Sequence, residues 1–246
     1  MIKDEPILKS VIWAFVILIF PVTSGIVTQV LKMNNIQTMF IQGCFMLLSL
    51  ITPIVYMWKF KIRFKEISLI KMQNGSAKKV LFFLLLVIAE APLLLVGINL
   101  ISIKYIVTLL FFTITIGISE EIYFRVIILR LLEEKYSIKK SIIISALVFG
   151  IAHIATAFVS RSILIVSLQI LNAFIFGIIA AEIVTITKSI IPTIMWHVAF
   201  DFVNHVTTGI NELFMIGFQV IIMIIYAYIL WSKIVFKNKN IVKVGI

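Results

Sequence analysis

Residues 117–125 read Gly-Ile-Ser-Glu-Glu-Ile-Tyr-Phe-Arg, which sets two adjacent carboxylates and an arginine inside an otherwise apolar run from Lys104 to Leu132. An ionisable side chain at the centre of a bilayer costs about 3 kcal/mol on insertion scales, so such groups face a protein interior and mark functional sites. Glu121 and Arg125 are spaced i, i+4 and share a helix face, where an ion pair satisfies both. Glu120 is rotated by about 100° and lacks that partner. A desolvated carboxylate of that kind is suited to taking and returning a proton near neutral pH. Two more pairs repeat the spacing, Phe149-x-x-x-His153 and His197-x-x-x-Asp201. A carboxylate bonded to one imidazole nitrogen fixes the tautomer and aims the other nitrogen at a metal, a water or an oxyanion. Together these Glu and His groups can activate water for attack on a carbonyl, by general-base action or around a divalent metal.

Other chemistries lack their residues. The chain has no His-Glu-x-x-His zinc motif, no Gly-x-Ser-x-Gly elbow and no glycine-rich phosphate loop. Its single cysteine, Cys44, lies in an apolar run and reads as a small buried hydrophobe. Glu90, Glu182 and His205 also fall in apolar spans. For His205 the expectation is a polar seam between helices, because one buried polar residue in a membrane helix is commonly interhelical glue.

Elements that could position these groups follow from hydropathy. The 246 residues are 62% hydrophobic and 13% charged, with a mean hydropathy of +1.16. Several stretches exceed the roughly 20 apolar residues that cross a bilayer, and short alternating segments of a β-barrel are missing. The expected fold is all-α: a polytopic transmembrane helical bundle, 1–246 forming one integral-membrane domain. Eight spans are expected, at about 10–31, 38–58, 80–101, 105–132, 142–159, 163–186, 191–208 and 213–236. The net charge of +11 comes from short loops and not from one basic face, so nucleic acid is not an expected partner. With a cytoplasmic N-terminus, seventeen of the 22 basic residues lie inside and only Lys32, Lys104 and Arg161 outside, leaving Arg125 and Arg130 within the fourth span. This bias orients both termini to the cytoplasm. The basic loop from Lys59 to Lys79 reads as a topology determinant at the anionic leaflet.

The order Glu120-Glu121-x-x-x-Arg125, Phe149-x-x-x-His153, His197-x-x-x-Asp201 on successive membrane helices resembles the CPBP family of CAAX proteases and bacteriocin-processing or self-immunity proteins, also called the Abi family. The resemblance covers about residues 113–205, and the family-like catalytic core is taken as 105–208. It implies an intramembrane endopeptidase with a site open to the cytoplasm, acting on a peptide or membrane-associated protein substrate within the lipid bilayer. It further implies residence in a bacterial cell membrane. By the same resemblance, Glu120 and His153 activate water, Glu121 and Arg125 hold the site together, Phe149 belongs to it, and His197 and Asp201 stabilise the oxyanion or support the site. Zn or another divalent metal, if used, would be held by Glu120, His153 and His197; a metal-free, glutamate-dependent mechanism is the other form.

Two positions depart from the family pattern: Val126 stands where glycine is frequent, and Asp201 where many members have asparagine. An ionised aspartate cannot donate to an oxyanion, so Asp201 is expected to orient His197. The competing readings are a non-catalytic scaffold or immunity protein of the same fold, and an ion-coupled transporter, for which internal repeats are missing. Reporter fusions after Lys71, Lys139 and Lys243 should read cytoplasmic, and those after Lys104 and Arg161 outside; an external reading at Lys71 would overturn this topology.

Overall fold

The computed structural model describes residues 5–61, 102–158, 162–207 and 212–243, with Met72, Gly75, Lys78 and Val80. The helices are α1 (Pro6–Val30), α2 (Asn35–Ser49), α3 (Ile51–Lys59), α4 (Ile103–Glu121), α5 (Leu129–Glu133), α6 (Ile138–Ala152), α7 (Ile163–Thr187), α8 (Ile191–Val206) and α9 (Glu212–Lys243). A π-helical stretch, Ile122–Ile128, joins α4 to α5, and a 3-10 turn, His153–Phe158, follows α6. Among the described residues six segments are long and apolar enough to cross a membrane: Pro6–Val30, Asn35–Lys59, Ile103–Glu133, Ile138–Ala155, Ile163–Thr187 and Gly217–Ile234. The expected third span, 80–101, and Glu90 within it lie outside the described residues. The expected seventh span is α8, whose 16 residues reach about 24 Å at 1.5 Å each, short of a hydrocarbon core of about 30 Å.

Local sequence explains where these helices start and break. Asn34 and Gln37 form a reciprocal capping box at the start of α2, and Ser102 and Ser162 cap α4 and α7 by accepting from Tyr105 and Ile165 backbone N–H groups. Pro192 occupies the first turn of α8, where a missing N–H costs nothing. The expected second span divides at Leu50. Pro53 is the cause: it cannot donate to the Ser49 carbonyl four residues back. That carbonyl instead accepts the Tyr123 hydroxyl from the π stretch at 2.9 Å.

Small residues set how closely the helices meet. α6 lies along α7, where a Cβ on Gly150 would come within 3.1 Å of the Ile170 carbonyl oxygen, and one on Gly177 within 3.0 Å of Ala146 Cα. These are backbone contacts that a side chain cannot yield by rotating, and they are the close approaches that drive association in lipid, where apolar burial gives no gain. α9 packs on the other side of α7, α2 packs on α4, and α4 receives α8. The buried apolar core centres on Tyr123, Phe124, Phe149, Phe176 and Trp196, while the outer faces expose residues such as Phe15, Val107 and Ile225 to lipid. Gly150→Ala should lower stability by about 1–3 kcal/mol, read as a lower unfolding midpoint in detergent. Gly25→Ala, with open space around it, should leave the midpoint unchanged or slightly raised.

Candidate active site

Glu121 is the last residue of α4 and is fully buried, with Arg125 1% and His197 5% exposed. Its two oxygens serve two partners: Arg125 Nε donates to Oε2 at 3.1 Å, and His197 Nδ1 lies 3.1 Å from Oε1. Thr193, one turn before His197 on α8, faces the same contact and donates its hydroxyl to the Ile190 carbonyl at 2.8 Å. The Glu121–Arg125 pair expected from the sequence is thus present, and it continues onto α8. α8 can come this close because α4 carries Gly117, where a Cβ would sit 2.9 Å from Val198 Cγ2 and 3.5 Å from His197 Cβ.

With Nδ1 donating to Glu121, the other ring nitrogen of His197 faces Glu120 and Asp201, at 3.8 Å from Glu120 Oε2 and 3.6 Å from Asp201 Oδ2. The sequence predicts Asp201 as the residue that orients the imidazole. The hydrogen bond that does so comes from Glu121, because the π stretch and Gly117 bring α4 against that edge of the ring. Glu120 is not isolated either, since it shares the Nε2 side of His197 with Asp201. Side-chain exposure rises from 0% at Glu121 to 7% at His197, 20% at Glu120 and 26% at Asp201. The ion pair therefore closes the floor of the site, and Glu120 and Asp201 form its open edge.

His153 ends α6, and its Nδ1 bonds the Phe149 carbonyl at 2.9 Å. That bond, with Nδ1 as donor, makes Nε2 the basic nitrogen. His153 lies within electrostatic range of Glu120. The Phe149 ring ties the groups together: it meets Phe124 at 4.7 Å and His153 at 4.8 Å edge-on, and Arg125 lies over its face at 4.9 Å. Behind His197, Phe176 stacks on Trp196 at 3.9 Å and contacts the imidazole at 4.8 Å. Fixed aromatic edges of this kind hold a ring's orientation and exclude water.

Several supporting residues escaped the sequence reading. Ser119 donates to the Met46 carbonyl at 2.8 Å and Ser145 to the Phe124 carbonyl at 3.3 Å. Thr193 could have been found from its place four residues before His197 on one helix face. Phe176 carried no signal, being one aromatic among many. His205 lies apart from the site: its Nδ1 bonds the Asp201 carbonyl at 2.7 Å and its ring meets Phe112 edge-on at 5.8 Å. Glu182 is buried on α7 without a hydrogen-bond partner among the described residues and takes no part in the cluster. Among the described residues no three His, Cys, Asp or Glu side chains are grouped to hold a metal ion.

Fold and site together define an integral-membrane helical bundle with a carboxylate–imidazole centre sunk between its helices. Residues 102–203 match the family model described as Type II CAAX prenyl endopeptidase Rce1-like, of the CPBP (Abi) family that the motifs resemble. The matched segment contains each of Glu120, Glu121, Arg125, Phe149, His153, His197 and Asp201. No curated protein matches the chain.

Removing Glu121 would leave a buried guanidinium and an imidazole without their acceptor. Glu121→Gln should therefore cost about 3–5 kcal/mol of stability, measured as reduced accumulation and a lower unfolding midpoint. An unchanged midpoint would mean that the ion pair does not hold α4 to α8.

Proposed function

We propose that the chain is an intramembrane endopeptidase that hydrolyses a peptide bond of a membrane-associated protein or a peptide precursor. One observation carries this reading: the shared Glu121 carboxylate, bonded at 3.1 Å to both Arg125 and His197, leaves the adjacent Glu120 and the Nε2 of His197 facing one partly open edge. Scaffolding would need the buried pair but not a second carboxylate beside it.

In the proposed reaction a water held between Glu120 and His153 gives a proton to the Glu120 carboxylate as its oxygen attacks the substrate carbonyl carbon. The C=O bond becomes a C–O⁻ oxyanion. His197, held at Nδ1 by Glu121, offers an Nε2–H to that oxygen, and Asp201 balances the charge of the ring. Collapse of the tetrahedral intermediate breaks the C–N bond. The proton on Glu120 passes to the departing amine, which regenerates the carboxylate. Elemental analysis of the purified protein, and activity after chelation, test whether a divalent metal takes part in the reaction.

Glu120→Gln keeps size and packing while removing the base, so the protein should accumulate normally and cleavage should fall by about 100-fold or more, read by comparative peptidomics of membranes from wild-type and variant cells. Equal loss of folded protein in Glu120→Gln and Glu121→Gln would point to a scaffold. If Glu120 and His153 act on one water, Glu120→Ala/His153→Ala should be scarcely worse than either single change, because residues that act as a unit are non-additive. Multiplying effects would assign the two residues separate roles, and robust cleavage by the double variant would refute the site.

A further inference from the structure

The start of α1 and the end of α5 enclose a cleft of about 240 Å³ lined by Pro6, Lys9, Leu131, Glu134 and Lys135. Two membrane-crossing segments meet there, one beginning at Pro6 and the other ending at Glu133. The cleft therefore sits where apolar helix gives way to charge, the depth of lipid headgroups. It is roughly 20 Å along the helix from Glu121, at 1.5 Å per residue, and separate from the site above. Its lining carries both signs of charge. Lys9 and Lys135 supply ammonium groups and Glu134 a carboxylate, with Lys135 also tied to Glu5 at 3.9 Å.

An apolar track runs along the outward face of α1. Leu8, Ile12, Phe15 and Ile19 follow one another at helical spacing on α1, and all four are exposed. From Leu8 to Ile19 the track is roughly 16 Å long, about the depth of one leaflet.

We infer that this cleft binds the headgroup of an ethanolamine phospholipid, phosphate against Lys9 and primary ammonium against Glu134, with an acyl chain along the α1 track. A purely anionic headgroup would satisfy Lys9 but set its negative charge beside Glu134 and Glu5. Free phosphate would meet the same repulsion and gain nothing from the track. A primary ammonium donates hydrogen bonds to a carboxylate, which a quaternary choline cannot. The inference does not depend on proteolytic activity.

The test uses the full chain, purified in detergent and stripped of lipid, then exposed separately to dioleoyl phosphatidylethanolamine, dioleoyl phosphatidylglycerol and inorganic phosphate, with retained adducts counted by native mass spectrometry. One phosphatidylethanolamine per chain should be kept in preference to phosphatidylglycerol, and phosphate should not be kept. Lys9→Ala should lower that occupancy about fivefold, Lys9→Arg should retain it, and Glu134→Gln should erase the preference for ethanolamine over glycerol. Unfolding midpoints of the variants confirm that they fold, and the wild-type selectivity is informative without them. Equal retention of the two lipids by wild-type protein, phosphate retained as well as lipid, or occupancy untouched by Lys9→Ala would each overturn the assignment.

Discussion

The Glu121 carboxylate is the constraint on which the rest of the site depends. A lone charge in this setting would cost several kcal/mol, and so would an unpaired guanidinium. Two oxygens shared between Arg125 and His197, each at 3.1 Å, pair the Glu121 charge and bind the guanidinium through Nε, while Nη1 and Nη2 have no hydrogen-bond partner among the described residues and the group rests over the Phe149 ring. The arrangement works only if three geometric conditions hold together. Arg125 must fall one turn beyond Glu121, α8 must approach α4 closely enough for His197 to reach across, and water must be kept from screening the contacts. The first is met by the spacing in sequence, the second by Gly117, and the third by the Phe149, Phe176 and Trp196 rings. Charge interactions strengthen as local dielectric falls, so the aromatic wall and the ion pair support one another.

Irregular backbone, not regular helix, does the fine positioning. The π stretch begins at Ile122, directly after Glu121, and such bulges recur at functional sites because they re-aim side chains without ending the helix. A helix distorted in lipid must still satisfy its backbone groups. Tyr123 reaches the Ser49 carbonyl that Pro53 leaves without a donor, and Ser119 reaches Met46 in the same helix. Two defects thus complete each other: the break between α2 and α3 anchors the segment of α4 that carries both glutamates. Ser145 adds a third tie, from α6 to Phe124. The first two helices, which carry no recognisable motif, are therefore structural partners of the site.

What could be read from the sequence follows the same division. Long apolar runs with few charges report membrane helices directly, since each span must meet its own hydrogen bonds and hydrophobic length, and the i, i+4 pairs report helix faces. Both sources led to the right helices for Glu121, Arg125, Phe149, His153 and His197. Sequence spacing has no access to contacts between helices. It assigned the orientation of His197 to Asp201, four residues away on the same helix, when the hydrogen bond comes from Glu121, 76 residues distant in the chain. It placed α2 and α3 in one span, in agreement with the single segment Asn35–Lys59, but missed the break at Leu50, because hydropathy is blind to the carbonyl that Pro53 orphans. Nor does it report that α8, the expected seventh span, has 16 residues and sits against α4 and α7.

Adjacent glutamates can then differ in function without differing in chemistry. Neighbouring positions on a helix point about 100° apart, and here that rotation separates a sealed environment from an accessible one: 0% side-chain exposure at Glu121 and 20% at Glu120. The sealed residue is saturated by fixed partners, so a proton delivered to it would break two contacts. Glu120 has a buried Oε2 without a hydrogen-bond partner among the described residues, while its side chain as a whole keeps 20% exposure. Exchange of a proton there disturbs no helix contact. Placing the structural charge on Glu121 is what leaves Glu120 available for chemistry, and the two roles could not be interchanged without turning α4 about its own axis.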